Sequence, residues 1–219
     1  MTRINMTRIK VCGLVRAADV DAVNAARPDF AGFVVDVPAS RRSVSPAEVR
    51  ALAARLDAGI QAVGVFVDAP AATVAELLND GTLDAAQLHG SEDAAYVSAL
   101  RALTDKPLVQ AFRVASAADV ARAEASAADR VLLDSGAGSG RTFDWKLARA
   151  CKRPFFLAGG LEPGIIARAV EAARPFGVDL SSGVETNGAK DPEKIARAVA
   201  EAHGADAPEA ETTRAREQR

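Results

Sequence analysis

Acid–base chemistry needs one group that gives a proton and one that takes it, and this chain offers few of either. Cys12 closes the run Arg8 to Cys12 just before Gly13, and Asp134 closes Arg130 to Leu133 just before a glycine-rich stretch, Gly136 to Gly140. A free thiol titrates near ~8.5 and an aspartic acid near ~3.9, so a site must tune both toward neutrality before they can work as a pair. Such a pair suits isomerisation of a sugar phosphate. Opening a ribose ring takes a proton delivered to the ring oxygen, and the carbon next to the resulting imine must then lose one. The plainer readings are a small buried cysteine and a capping aspartate.

Two stretches are suited to holding an anion. Phe155 to Ala158 runs into Gly159-Gly160-Leu161, and Val178 to Leu180 runs into Ser181-Ser182-Gly183-Val184-Glu185. Glycine lets backbone N–H groups approach a phosphate closely, and a helix N-terminus behind them adds a favourable dipole. Arg41 and Arg42, in the loop Ser40 to Val44, each offer a planar guanidinium for a carboxylate, or are solvated surface residues. His89 is a substrate contact or simply exposed. Asp179 lies within the last apolar run, where it could point inward as a supporting residue. Cys151, beside Lys152 on an expected helix, reads as structural.

These residues matter only if the fold gathers them. Apolar runs at Arg8–Cys12, Ala31–Asp36, Ala62–Val67, Ala85–Leu88, Leu108–Phe112, Arg130–Leu133, Phe155–Ala158 and Val178–Leu180 alternate with helical patterns. Ser45-Pro46-Ala47-Glu48 is a capping box with proline at the first helical position. Ser91 is expected to cap the helix carrying Val97 and Leu100, and Ser116 with Asp119 opens the next. Pro70, Pro163 and Pro192 stand near other helix starts. Val49, Leu52, Ala53 and Leu56 form one apolar face; Val74, Leu77 and Leu78 another; Ile195 and Val199 the last. Eight strand–helix pairs with a step of about 25 residues describe a single (β/α)8 TIM barrel, with its active rim at the C-terminal ends of the strands and phosphate loops after strands seven and eight. A doubly wound sheet would need fewer strands and a Gly-x-Gly-x-x-Gly after the first, which is missing.

The barrel is expected to span residues 1–204, with 205–219 a polar, disordered tail. Met6-Thr-Arg-Ile repeats Met1-Thr-Arg-Ile, so either methionine could be the start. Across 219 residues, apolar content is 49% and net charge −2, which gives a soluble core-forming chain no basic surface for nucleic acid or membrane. Two cysteines are too few for a disulfide framework or a cysteine-based zinc site, and a cytoplasmic setting follows.

Taken in order, the motifs resemble a known family. Lys10-Val11-Cys12-Gly13-Leu14, Gly64-Val65-Phe66-Val67, Gln87-Leu88-His89-Gly90, Leu133-Asp134 with Gly138-Ser139-Gly140-x-x-Phe143-Asp144-Trp145, Leu157-Ala158-Gly159-Gly160-Leu161 and Val178 to Glu185 are similar to those of the phosphoribosylanthranilate isomerases. The resemblance implies a cofactor-free and metal-free enzyme of tryptophan biosynthesis whose substrate is phosphoribosylanthranilate. It implies Cys12 as general base, Asp134 as general acid, Arg42 on the anthranilate carboxylate, and Gly159, Gly160, Ser182 and Gly183 on the phosphate. The family often has Ser-Pro-Arg where this chain has Ser40-Arg41-Arg42, which leaves open which arginine faces the carboxylate. Self-association, or association with other tryptophan-pathway enzymes, is left open as well. The rivals are the histidine-pathway isomerase, which has an aspartate where this chain has Cys12, and a non-catalytic phosphate-sensing barrel, which would dispense with Cys12 or Asp134.

Overall fold

The computed structural model describes residues 6–134 and 145–204. In chain order its elements are β1 (Arg8–Cys12), α1 (Ala17–Ala26), β2 (Phe30–Val35), β3 (Ser43–Val44), α2 (Pro46–Ala53), β4 (Gln61–Phe66), α3 (Ala71–Asn79), β5 (Ala85–Leu88), α4 (Ala94–Arg101), β6 (Leu108–Arg113), α5 (Ala117–Glu124) and β7 (Arg130–Asp134). Then come α6 (Trp145–Ala148), β8 (Phe155–Ala158), α7 (Ile166–Ala173), β9 (Gly177–Leu180), a 3-10 turn (Ser182–Val184), β10 (Glu185–Thr186), β11 (Ala189–Lys190) and α8 (Pro192–Gly204). The eight long strands are all parallel, in the order β1-β2-β4-β5-β6-β7-β8-β9, and β1 pairs with both β2 and β9 to close the (β/α)8 barrel. Closure leaves none of these eight strands an open edge, and it puts all eight of their C-termini on one rim.

The helical spacing does its expected work. Val20 and Val23, Val49 and Leu52, Val74, Leu77 and Leu78, Val97 and Leu100, and Ile195 and Val199 are all buried against the barrel. Each such side chain contributes roughly 1.5–3 kcal/mol when fully buried. Ala53 and Leu56 are only half-buried, because α2 stops at Ala53 and leaves Leu56 beyond its end. At the N-terminal end the barrel is plugged by Phe156, edge-on to Phe30 at 5.4 Å and to Phe176 at 5.3 Å.

Capping decides where helices start, and here the structure corrects three expectations. Ser45 and Glu48 do form a reciprocal box, and so do Ser116 and Asp119. Ser91 is not a cap: Asp93 accepts the Tyr96 N–H at 2.8 Å, while Ser91 donates its N–H and hydroxyl to Asp68 at 2.7 and 2.8 Å. That pair ties the turn after β5 to the turn after β4. The α-helix near Pro163 begins only at Ile166, since Gly164 sits at φ +102°, outside the right-handed helical region. Cys151 lies in the turn after α6 rather than on it, buried, with its Sγ 3.7 Å from the Arg153 carbonyl. The glycine-rich stretch 136–140, Phe143, Asp144 and the expected tail 205–219 lie outside the described residues.

Candidate active site

Alternation along β1 turns Lys10 and Cys12 into the barrel. Lys10 registers beside Asp179 on β9, and Cys12 beside Gly32 on β2. Gly32 makes room for both: a Cβ there would lie 2.8 Å from Cys12 Sγ and 3.0 Å from Lys10 Cε. Above them, at the C-terminal rim, opens a cavity of about 360 Å³.

The order of strands sorts its lining. Cys12 rises from the first strand. Val34 and Val37, then Val65 and Val67, give an apolar wall from the second and third strands of the barrel. His89 follows just past the end of the fourth and Asp134 at the end of the sixth, and Gly159, Gly160, Ser182 and Gly183 close the circle from beyond the seventh and eighth. Cys12 and Asp134 therefore flank the two glycine loops, and an apolar wall stands across from them. His89 Nε2 lies 3.8 Å from Asp134 Oδ2, too far for a direct hydrogen bond.

Beneath the cavity is a charged layer that the sequence reading passed over. Lys10 is only 2% exposed and donates to both oxygens of Asp179 at 3.1 Å and to Gln87 Oε1 at 2.9 Å. Burial works against the Lys10 charge, yet Asp179 and its neighbours outweigh it and hold the ammonium above its ordinary range. Asp179 does point inward, as a partner of Lys10. Burial pushes the Cys12 thiol up, while Lys10, and more weakly Lys190, pulls it down. The signal for Lys10 was present: a lysine inside an otherwise apolar strand of a parallel barrel has to find a partner within the core.

The loop arginines separate cleanly. Arg42 lines the cavity and grips Glu185 side-on, Nε to Oε1 at 2.7 Å and Nη2 to Oε2 at 2.9 Å. Arg41 stays outside, 55% exposed, bonded to Glu185 at 2.5 Å and the Gly188 carbonyl at 3.1 Å. Glu185 and Lys190 sit on the β10–β11 hairpin, turned by Asn187 and Gly188 at φ 51° and 81°, the positive angles a two-residue hairpin of this kind requires. Asn-Gly in the sequence was the overlooked clue. Lys190 donates to Glu185 at 2.7 Å and to the Ser181 carbonyl at 3.0 Å. Against the upward push of burial, Arg42 and Lys190 hold the Glu185 carboxyl at about 2, so it is an anion throughout the physiological range. Burial lowers Lys190 from its usual range, with Glu185 opposing.

The two glycine loops expected to hold an anion differ from expectation in what stands behind them. Loop eight leads into a three-residue 3-10 turn, and loop seven reaches α7 only at Ile166, so close backbone N–H groups rather than long helix dipoles are on offer. Gly183 is what brings the two loops together. A Cβ there would sit 1.9 Å from the Leu161 carbonyl oxygen. Gly183→Ala is expected to force the loops apart and weaken inorganic phosphate binding by about tenfold or more, as a loss of only ~1.4 kcal/mol would. Calorimetric titration of the variant against the parent protein measures it, and unchanged affinity would remove Gly183 from the anion site.

Comparison with known proteins agrees with this geometry. A family model described as N-(5'phosphoribosyl)anthranilate (PRA) isomerase matches residues 9–201. The chain is 44% identical over 199 residues to the N-(5'-phosphoribosyl)anthranilate isomerase of Endomicrobium trichonymphae, covering 89% of this chain and 97% of the relative. The crystal structure of the phosphoribosylanthranilate isomerase from Thermotoga maritima superposes with a TM-score of 0.80 at 33% identity, over 91% of this chain and all of that one. Another, at TM-score 0.79, 32% identity and the same coverage, is a phosphoribosylanthranilate isomerase in complex with reduced 1-(o-carboxyphenylamino)-1-deoxyribulose 5-phosphate.

Proposed function

The chain belongs to the N-(5'-phosphoribosyl)anthranilate isomerase family, and from that we infer that Cys12 is the general base and Asp134 the general acid of its reaction. That reaction is the Amadori rearrangement of N-(5'-phosphoribosyl)anthranilate to 1-(2-carboxyphenylamino)-1-deoxyribulose 5-phosphate, a step in tryptophan biosynthesis. The observation that carries the assignment is the placement of Cys12 and Asp134 on either side of the paired glycine loops, facing one cavity.

The cavity supports a pose for each part of the substrate. The phosphate rests on Gly159, Gly160, Ser182 and Gly183, and the anthranilate ring lies on the valine wall with its carboxylate toward Arg42. The ribose then spans the middle, between Cys12 and Asp134. Asp134 gives its proton to the ring oxygen as the bond from that oxygen to C1 breaks, and the anilino nitrogen lone pair becomes the second bond of a protonated imine. The Cys12 thiolate removes the proton from C2, and the electrons of that bond return through C1 to nitrogen, leaving an enol–amine. Loss of the proton from the C2 hydroxyl and gain of one at C1 complete the ketone. Acids and bases suffice for every step. The catalytic unit is the barrel up to residue 204. No helix among the described residues is long and apolar enough to cross a membrane, and two unpaired buried cysteines fit a reducing cytoplasm.

The test follows the fluorescence of the anthranilate moiety, with phosphoribosylanthranilate generated in the cuvette and its loss recorded on addition of the protein. Arg42→Ala is expected to raise KM about tenfold or more with a smaller change in kcat, because it removes binding shared by ground and transition states. Arg42→Lys restores charge without the fork, and its KM should fall between the two. No loss of fluorescence with the parent protein would move the assignment to a related isomerase. An unchanged KM in Arg42→Ala would take the carboxylate elsewhere.

A further inference from the structure

A run of hydrogen bonds crosses the cavity floor from Lys10 to His89, and its donors and acceptors can be assigned without ambiguity. An ammonium only donates, so the Gln87 atom 2.9 Å from Lys10 Nζ must be its carbonyl oxygen. The Gln87 amide NH2, which also only donates, is thereby turned to His89 Nδ1 at 2.8 Å. His89 Nδ1 must hold a lone pair, and the one proton of the neutral ring is left on Nε2, the nitrogen 3.8 Å from Asp134 Oδ2.

We propose that Lys10, acting through Gln87, sets His89 as the Nε2–H tautomer, so that the imidazole beside Asp134 is a hydrogen-bond donor and not a proton acceptor. Resting on the assignment of Asp134 as the acid, this gives Lys10 and Gln87 a positioning role. An imidazole with its lone pair toward Asp134 would compete with the substrate ring oxygen for the acid's proton; one with its N–H there cannot. The same N–H can support the carboxylate that remains after transfer. Fixing the tautomer from beneath has a structural logic. Lys10 is buried and held by Asp179, so the amide of Gln87 cannot flip without setting its NH2 against an ammonium. Gln87 itself is buried near the end of β5, and His89 stands one residue past that strand, within 2.8 Å of the Gln87 amide.

The chain contains two histidines, so nitrogen NMR of protein labelled with 15N-histidine shows two imidazoles, and loss of one set in His89→Asn assigns them. At neutral pH the parent protein is expected to give His89 a protonated, pyrrole-type Nε2 and a pyridine-type Nδ1. In Gln87→Glu a carboxylate replaces the amide NH2 and accepts from Nδ1–H, so the pattern should reverse, and turnover should drop with it. A pyrrole-type Nδ1, a doubly protonated ring or averaged nitrogens in the parent protein would overturn the proposal, as would an unchanged pattern in folded Gln87→Glu. If that variant does not fold, the parent spectrum alone decides. The spectrum needs no turnover, so it stands or falls separately from the fluorescence assay.

Discussion

Asp134→Asn and Cys12→Ala are each expected to lower kcat by about 10²–10⁴-fold, the usual worth of a positioned acid or base, while phosphate-bearing ligands still bind. Neither residue belongs to the proposed anion site: phosphate is proposed for the loops after β8 and β9, whereas Cys12 ends β1 and Asp134 ends β7. Asparagine keeps the shape of the side chain and loses the transferable proton. Alanine at 12 removes the proposed base and leaves the charged layer below it in place. Cys12→Ser should be almost as poor, since an alcohol seldom forms its anion at neutral pH. The thiol also predicts a pH dependence. Burial pushes Cys12 above its ordinary range, so the neutral thiol dominates at pH 7 and the thiolate fraction grows as pH rises. In the parent protein the base limb of kcat/KM should therefore rise with pH above neutrality as the thiolate fraction grows. Stopped-flow fluorescence over a pH series, with product-analogue binding measured in parallel, separates chemistry from affinity. Full turnover in either variant would end the role assigned to that residue.

What the sequence could reveal followed from periodicity and from position. Strand ends are legible because apolar runs stop where glycine or a polar residue turns the chain, and a barrel brings all such ends to one rim. Cys12, His89, Asp134 and the two glycine loops were picked out in this way, and all of them line the cavity. Pairing was not legible. Nothing in Ser40-Arg41-Arg42 says which arginine turns inward; both reach Glu185, Arg42 from the cavity and Arg41 from outside it, and Glu185 sits on a hairpin whose two strands of two residues each are too short to show alternation. Likewise Lys10 and Asp179 stand 169 residues apart and meet only because β1 closes against β9. Ser91 failed as a cap for a related reason. Asp68, a loop away, competes for its hydroxyl, and Asp93 is better placed two residues on.

Lys10→Met should carry the second large effect, and its two consequences can be told apart. Removing the ammonium leaves Asp179 and the Gln87 carbonyl buried without their donor, and breaking one side of a buried pair costs about 3–5 kcal/mol. In a domain of this size that lowers the melting temperature by roughly 10 °C. Methionine nearly matches the lysine in length, so the loss is of charge rather than volume. The second consequence is chemical. After burial itself, Lys10 is the largest influence on the Cys12 thiol and the strongest one that lowers it, whereas Asp179 acts more weakly in the opposite sense. Replacing both, in Lys10→Met with Asp179→Leu, removes the buried charges, leaving Gln87 the polar group there, and should restore most of the lost stability, since well-packed apolar substitutes for buried ion pairs are often neutral or better. It should not restore activity. With the nearest cation gone the thiol is pushed further up, and each unit of that shift removes about tenfold of the thiolate at neutral pH. Thermal melts and the fluorescence assay on the single and double variants read the two effects separately. A double variant that regains both stability and turnover would reduce Lys10 to a structural residue. One that regains stability alone, with its rate recovering at alkaline pH, would place Lys10 in the machinery that makes Cys12 a base.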